Sequence, residues 1–76
     1  MIREHDRVVL TEPVSSLRLE SGDVGTIVHV HSGGAAFEVE FVSLDGETSI
    51  VSTVKASALR PVLKREIPHV RQLAVA

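Results

Sequence analysis

The sequence predicts an all-β fold, a small antiparallel barrel of about five short strands with a C-terminal extension, and three observations carry that reading. From Gly22 to Phe41, two arms of alternating apolar residues flank Ser32, Gly33 and Gly34, the pattern of strand, turn and strand. Asp45-Gly46 is a strong hairpin signal and leads into a run with β-branched residues at Thr48, Ile50, Val51, Thr53 and Val54, a composition that suits a pleated surface better than a helix. The segments that could compete as helix before the C-terminal tail are weak: residues 11 to 21 keep no period, and Ala56-Ser57-Ala58-Leu59 is long enough only for a 3₁₀ turn.

Taken in order, Asp6 to Leu10 forms a first short strand with Val8 and Leu10 on one face, ended by Pro13 because proline cannot donate to a ladder. Residues 11 to 21 make a long loop, with room for one helical turn, that folds back on the barrel through Leu17 and Leu19. The second strand begins near Asp23 and contains Gly25, where a glycine marks a bulge, a bend or a close backbone approach. In this strand Val24, Val28 and Val30 share one face, and in the third strand Phe37, Val39 and Phe41 do so. Aligning those faces places Val30 opposite Val39 and Val28 opposite Phe41, a register that a one-residue slip would turn inside out. A fourth strand runs from Thr48 to about Val54, and a last one covers Arg60 to Leu63, put at an edge by Pro61. The barrel therefore spans residues 1 to 63, and residues 64 to 76 form a tail that reads as a docking arm or short helix. Within it Ile67, Val70, Leu73 and Ala74 recur at helical spacing after Pro68.

A chain of 76 residues is one domain with a small core, burying about 60% of its unfolded surface. The absence of cysteine excludes disulfides and thiolate zinc sites and suits a reducing cytoplasm. No apolar run has the length of a signal peptide core or a membrane span, so a soluble, cytoplasmic protein is expected. The formal charge of -2 is unevenly spread: residues 1 to 61 carry nine acids against five bases, whereas the remainder carries Lys64, Arg65 and Arg71 against Glu66. An acidic body with a basic tail argues against a fold that grips polyanions.

Asp6-Arg7-Val8-Val9-Leu10, the Gly22-Asp23-Val24-Gly25-Thr26-Ile27-Val28 arm, the Gly34-to-Phe41 arm, Asp45-Gly46-Glu47-Thr48 and Ala58-Leu59-Arg60-Pro61-Val62 together resemble a family of short bacterial SH3-like domains of unassigned function, over roughly residues 5 to 63. The same order is similar to the SH3-like barrels of the photosystem I peripheral subunit and of nitrile hydratase β-chains, and more distantly to KOW ribosomal modules. The resemblance implies an SH3-like barrel. It also implies an accessory role, docking on a larger protein or beside an enzyme or toxin-like partner, although such barrels serve many unrelated tasks.

Three sets of residues are candidates for function. Leu17, Leu19, Val70 and Leu73 are the expected contacts of a protein partner or of a second copy of the chain. Arg60, Lys64, Arg65 and Arg71 would serve a KOW-like nucleic-acid alternative as phosphate contacts. The expected register sets His31 across from Glu38 and His29 across from Glu40, imidazoles facing carboxylates, which is either a divalent metal site or, more ordinarily, two cross-strand charge pairs. None of the serines lies in a nucleophile-elbow context, and a fold this small can hardly enclose a triad. The expectation is a noncatalytic protein with no cofactor and no small-molecule substrate.

Overall fold

The computed structural model describes residues 2–73 of the chain. They form one five-stranded antiparallel sheet with strands β1 (Arg7–Leu10), β2 (Val24–His31), β3 (Ala36–Val42), β4 (Ser49–Lys55) and β5 (Leu59–Pro61), together with 3₁₀ turns at Ser15–Leu17 and Ala56–Ala58. The strand order is β4-β3-β2-β1-β5, so the sheet curls with β1 carrying β5 on one side and β2 on the other. This is the small SH3-like barrel that the turn chemistry predicts, with the 3₁₀ turn before the last strand at its expected place. That strand begins and ends earlier than expected, at Leu59 and Pro61, because Leu59 pairs with Leu10 and is drawn into the core.

The core is made by Val8, Leu10, Leu19, Ile27, Phe37, Val39, Phe41, Val54, Ala58 and Leu59, with Ile2, Val14, Val30, Ile50 and Ala56 partly buried around it. The face expected of β3 is correct, but that of β2 is not. Ile27 is fully buried, and Val24 and Val28 are exposed. The register explains why: Ile27 pairs with Val39 and Val30 with Phe37, and a shift between Ile27 and His29 interrupts the ladder. The irregularity inserts one residue, so the inward set runs Gly25, Ile27 and then Val30, and strict alternation fails at Val28. The expected pairs Val30 with Val39 and Val28 with Phe41 are thus displaced.

The hairpin turn is built where the backbone must enter the left-handed region three times in succession, at Ser32, Gly33 and Gly34. Two of those positions are glycine, which meets no Cβ penalty there. The 11–21 loop is closed on itself by Val14 N–H to Leu19 O at 3.0 Å and Leu19 N–H to Val14 O at 3.1 Å, around the 3₁₀ turn. That small closure drives Leu19 into the core at 2% exposure. Leu19 thus anchors the loop on the barrel as expected, whereas Leu17 stays exposed.

Among the described residues the tail is not a helix. Residues 62–73 have no regular secondary structure beyond a turn at Lys64 and Arg65, and Arg65 has a φ of 70°. Isolated helices of this length are marginal in water, and here two ion pairs hold the chain in another shape. Ala74, the last member of the expected helical face, lies outside the described residues.

Candidate functional site

The C-terminal segment is a strap tied at two points. At the first, Arg60 on β5 forks onto Glu66, with Nη1 to Oε1 at 2.9 Å and Nη2 to Oε2 at 2.7 Å, while the Leu63 N–H donates to Glu66 Oε1 at 2.6 Å. The Arg60 hydrogen bonds, followed by the Leu63 N–H, hold the exposed Glu66 carboxyl down at about 2. At the second, Arg71 forks onto Asp23, donating from Nε to Oδ1 at 2.8 Å and from Nη2 to Oδ2. Glu20 approaches the same guanidinium at 3.6 Å, and Arg71 also donates to the Arg18 carbonyl at 3.4 Å. Bidentate charged forks of this kind fix geometry as well as adding energy.

The two ties flank one residue. Val9 points away from the core cluster, yet it is only 7% exposed. Its neighbours in the ladder are Arg60 on one side and Val24 on the other, the first a strap anchor and the second adjacent to Asp23. The segment from Glu66 to Arg71 therefore runs from an anchor on β5 to one beside β2, the two strands that flank β1.

This tie has a definite pH sign. Burial by itself would raise the Asp23 carboxyl, but the Arg71 side-chain bond, the Glu20 N–H and the Arg71 charge outweigh it and hold the group below its ordinary 3.8. A depressed carboxylate contributes stability that is fully present above the unfolded value and is lost as pH falls through the folded one. We expect the methyl resonances of Val70 and Leu73 to shift between neutral pH and the region below 3.8 as the strap lets go, and Asp23→Asn to show the released positions already at neutral pH. Unchanged resonances in that variant would mean that Arg71 does not hold the strap.

Between the strap and the end of the sheet runs a groove of about 600 Å³, lined by Val24, Phe41, Val42 and the 43–48 loop on one side and by Pro68 to Leu73 on the other. Its floor is continuous with the core through Leu19 and Phe41, while Val42 (49%), Leu44 (84%) and Val70 (72%) stand exposed around it. The loop that presents Leu44 is tied by hydrogen bonds of its own. Ser43 Oγ donates to Asp45 Oδ1 at 2.6 Å, and Ser43 Oγ accepts the Thr48 N–H at 3.0 Å. The Ser43 hydroxyl, followed by the Glu47 N–H, keeps the Asp45 carboxyl below its ordinary range.

Of the four expected partner contacts, Val70 and Leu73 line this groove, Leu19 lies buried in its floor, and Leu17 is exposed on the 3₁₀ turn without being part of the lining. Sequence reasoning missed Val24, Val42 and Leu44. Leu44 did leave a signal, a large aliphatic residue set directly before a hairpin Asp-Gly, where polar residues are the rule.

The four basic residues proposed for phosphate contact are divided. Arg60 and Arg71 are engaged by carboxylates of the same chain, whereas Lys64 and Arg65 stand exposed at the strap's turn. The histidine constellation is also rearranged. His29 pairs with Glu38, not Glu40, and Glu40 sits across from Thr26, accepting from Ser49 Oγ at 2.7 Å. His31 Nε2 lies 2.8 Å from Glu38 Oε2, and the His29 and His31 rings meet edge to face at 4.6 Å. The Thr53 hydroxyl first, and His31 second, hold Glu38 below its usual value. Among the described residues no group of three or more histidines and acids is arranged to hold a metal ion. His29 and Glu40 do not face each other because the two strands pair two to three residues away from the expected register, which sets Glu40 across from Thr26 and leaves it to Ser49.

Among the described residues no helix is long and apolar enough to cross a membrane. No curated protein and no solved structure matches the chain. Residues 4–61 match the family described as a domain of unknown function, DUF4926. The matched span takes in all five strands and ends where the strap begins, and the chain belongs to that family.

Proposed function

We propose that the domain is a noncatalytic protein-interaction module, an accessory piece that binds a larger cytoplasmic protein such as an enzyme or toxin-like neighbour. The observation that carries this reading is the groove, where Val24, Val42, Leu44 and Val70 stay exposed beside a floor formed by the core. Contiguous exposed aliphatic surface in so small a domain marks an interaction site. The occupant that fits is an aliphatic segment flanked by basic residues. The body of residues 1 to 61 carries nine acids against five bases, and two of the chain's arginines are already engaged by Glu66 and Asp23. The similarity to the SH3-like barrels of the photosystem I peripheral subunit and of nitrile hydratase β-chains supports the same accessory role. Of the four basic residues named for the KOW-like nucleic-acid reading, Arg60 and Arg71 are engaged by carboxylates, which leaves Lys64 and Arg65, a thin patch for phosphate binding.

The test is capture from the native host with the wild-type chain and with the double variant Val42→Asp/Leu44→Asp, whose positions are exposed and outside the core. We expect the double variant to lose the proteins that the wild type retains. Equal retention by both would dismiss the groove. A salt-sensitive RNA shift abolished by Lys64→Ala/Arg65→Ala would favour the nucleic-acid reading instead.

A further inference from the structure

The two edges of the sheet are unlike. On one side β5 is three residues long and contains Pro61, and the strap is tied to it through Arg60, devices that blunt an edge against pairing. On the other side β4 is a seven-residue strand, Ser49 to Lys55, with no proline and a single charge at its end. Its ladder to β3 runs without interruption, so no bulge twists this edge away.

The parity of the hydrogen bonds shows what that edge offers. Ser43 N–H donates to Thr48 O and Ala56 N–H to Ala35 O, which sets the bonded pairs of the β3–β4 ladder at every second residue. Ile50, Ser52 and Val54 therefore turn their backbone groups to β3. Ser49, Val51, Thr53 and Lys55 turn theirs outward, and all four are exposed. Among the described residues no other backbone group bonds to them. The 12–14 loop approaches only the far end, where Glu12 reaches Lys55 at 3.5 Å, and a cleft of about 470 Å³ separates it from Thr53 to Lys55.

We propose that β4 pairs antiparallel with β4 of a second copy of this chain, about a two-fold axis at Ser52, joining two barrels through one continuous sheet. In that register Ser49 faces Lys55 and Val51 faces Thr53 in each direction, so all four outward donors and all four outward acceptors of each copy are satisfied. Sliding the axis by one residue leaves some of them unused. The half-buried Ile50 meets Val54 of the second copy on the core side, and the 55%-exposed Val51 gains a β-branched neighbour on the other. Charge agrees with the same register. Lys55 of one copy arrives beside the end of the other that carries Glu47 and the Ser49-bound Glu40, an arrangement that an antiparallel pair of identical strands repeats at both ends. This surface is separate from the groove and stands or falls independently of it.

The chain has no cysteine, so a single introduced thiol reports the register. At the axis, Ser52 faces its own copy in a pair without backbone bonds, where Cα atoms lie about 4.5 Å apart, within disulfide reach. Under mild oxidation Ser52→Cys is expected to form a covalent dimer about tenfold faster than Ser57→Cys on the exposed 3₁₀ turn, because pairing raises the local thiol concentration. Equal rates would overturn the proposal. Sedimentation over a concentration series gives the second readout. The wild type should shift from monomer to dimer, and Val51→Pro should remain monomeric, since that N–H faces outward and contributes nothing to the β3 ladder. A wild type that stays monomeric at every concentration, or a Val51→Pro variant that dimerises as well as the wild type with its circular dichroism unchanged, refutes the pairing.

Discussion

Replacing Gly25 by valine is expected to cost about 3 kcal/mol or more of folding stability, and replacing it by alanine about 1–3 kcal/mol. A Cβ at this position would stand 2.5 Å from Val39 Cγ1, 2.8 Å from Phe41 Cε2 and 3.0 Å from the Glu40 carbonyl oxygen. The first two atoms belong to buried core side chains and the third to the backbone of the adjacent strand, so none of them can give way cheaply. The need here is for space, not for an unusual φ. Gly25 lies opposite Val8, at the point where β2 coils tightly over β3. A domain of this length has a total stability of roughly 4–11 kcal/mol, so the valine variant should lose much of it. Urea unfolding followed by circular dichroism measures the effect, and a change below about 0.5 kcal/mol, the range of an ordinary surface substitution, would contradict the close approach.

The second large effect is a contrast between neighbours. Ile27→Ala should cost about 2–5 kcal/mol, because Ile27 is completely buried and its truncation leaves a cavity among Val8, Val39 and the other core residues. Val28→Ala should cost about 0.5 kcal/mol or less, because Val28 is 40% exposed and lies at the irregularity, outside the packed core. The same unfolding experiment decides it. A reversed order, with Val28 the costly position, would restore strict alternation in β2 and remove the bulge between Ile27 and His29.

The bulge matters to function as well as to stability. It shifts the β2–β3 register by one residue, with His29 across from Glu38 on one side of it and Thr26 across from Glu40 on the other. It also leaves Val24 facing outward at the mouth of the groove, opposite the strap. One inserted residue thus decides which valine of β2 stands exposed at the groove.

What the sequence by itself determined was local: five strands, two hairpin connections, the 3₁₀ turn at Ala56 to Ala58, the inward set Phe37, Val39 and Phe41, and the special position of Gly25. These follow from period-two alternation, β-branching and turn residues, which act within a few positions of one another. Only the tertiary structure decided the phase of β2 after Ile27, the fate of the tail and the freedom of the β4 edge. Each depends on a partner far away in the chain. Arg71 finds Asp23 across 48 positions, and no local spacing announces that pairing. Helical periodicity in the tail yielded to it because a short isolated helix gains little in water, whereas a partly buried bidentate ion pair ties the segment to the body of the domain.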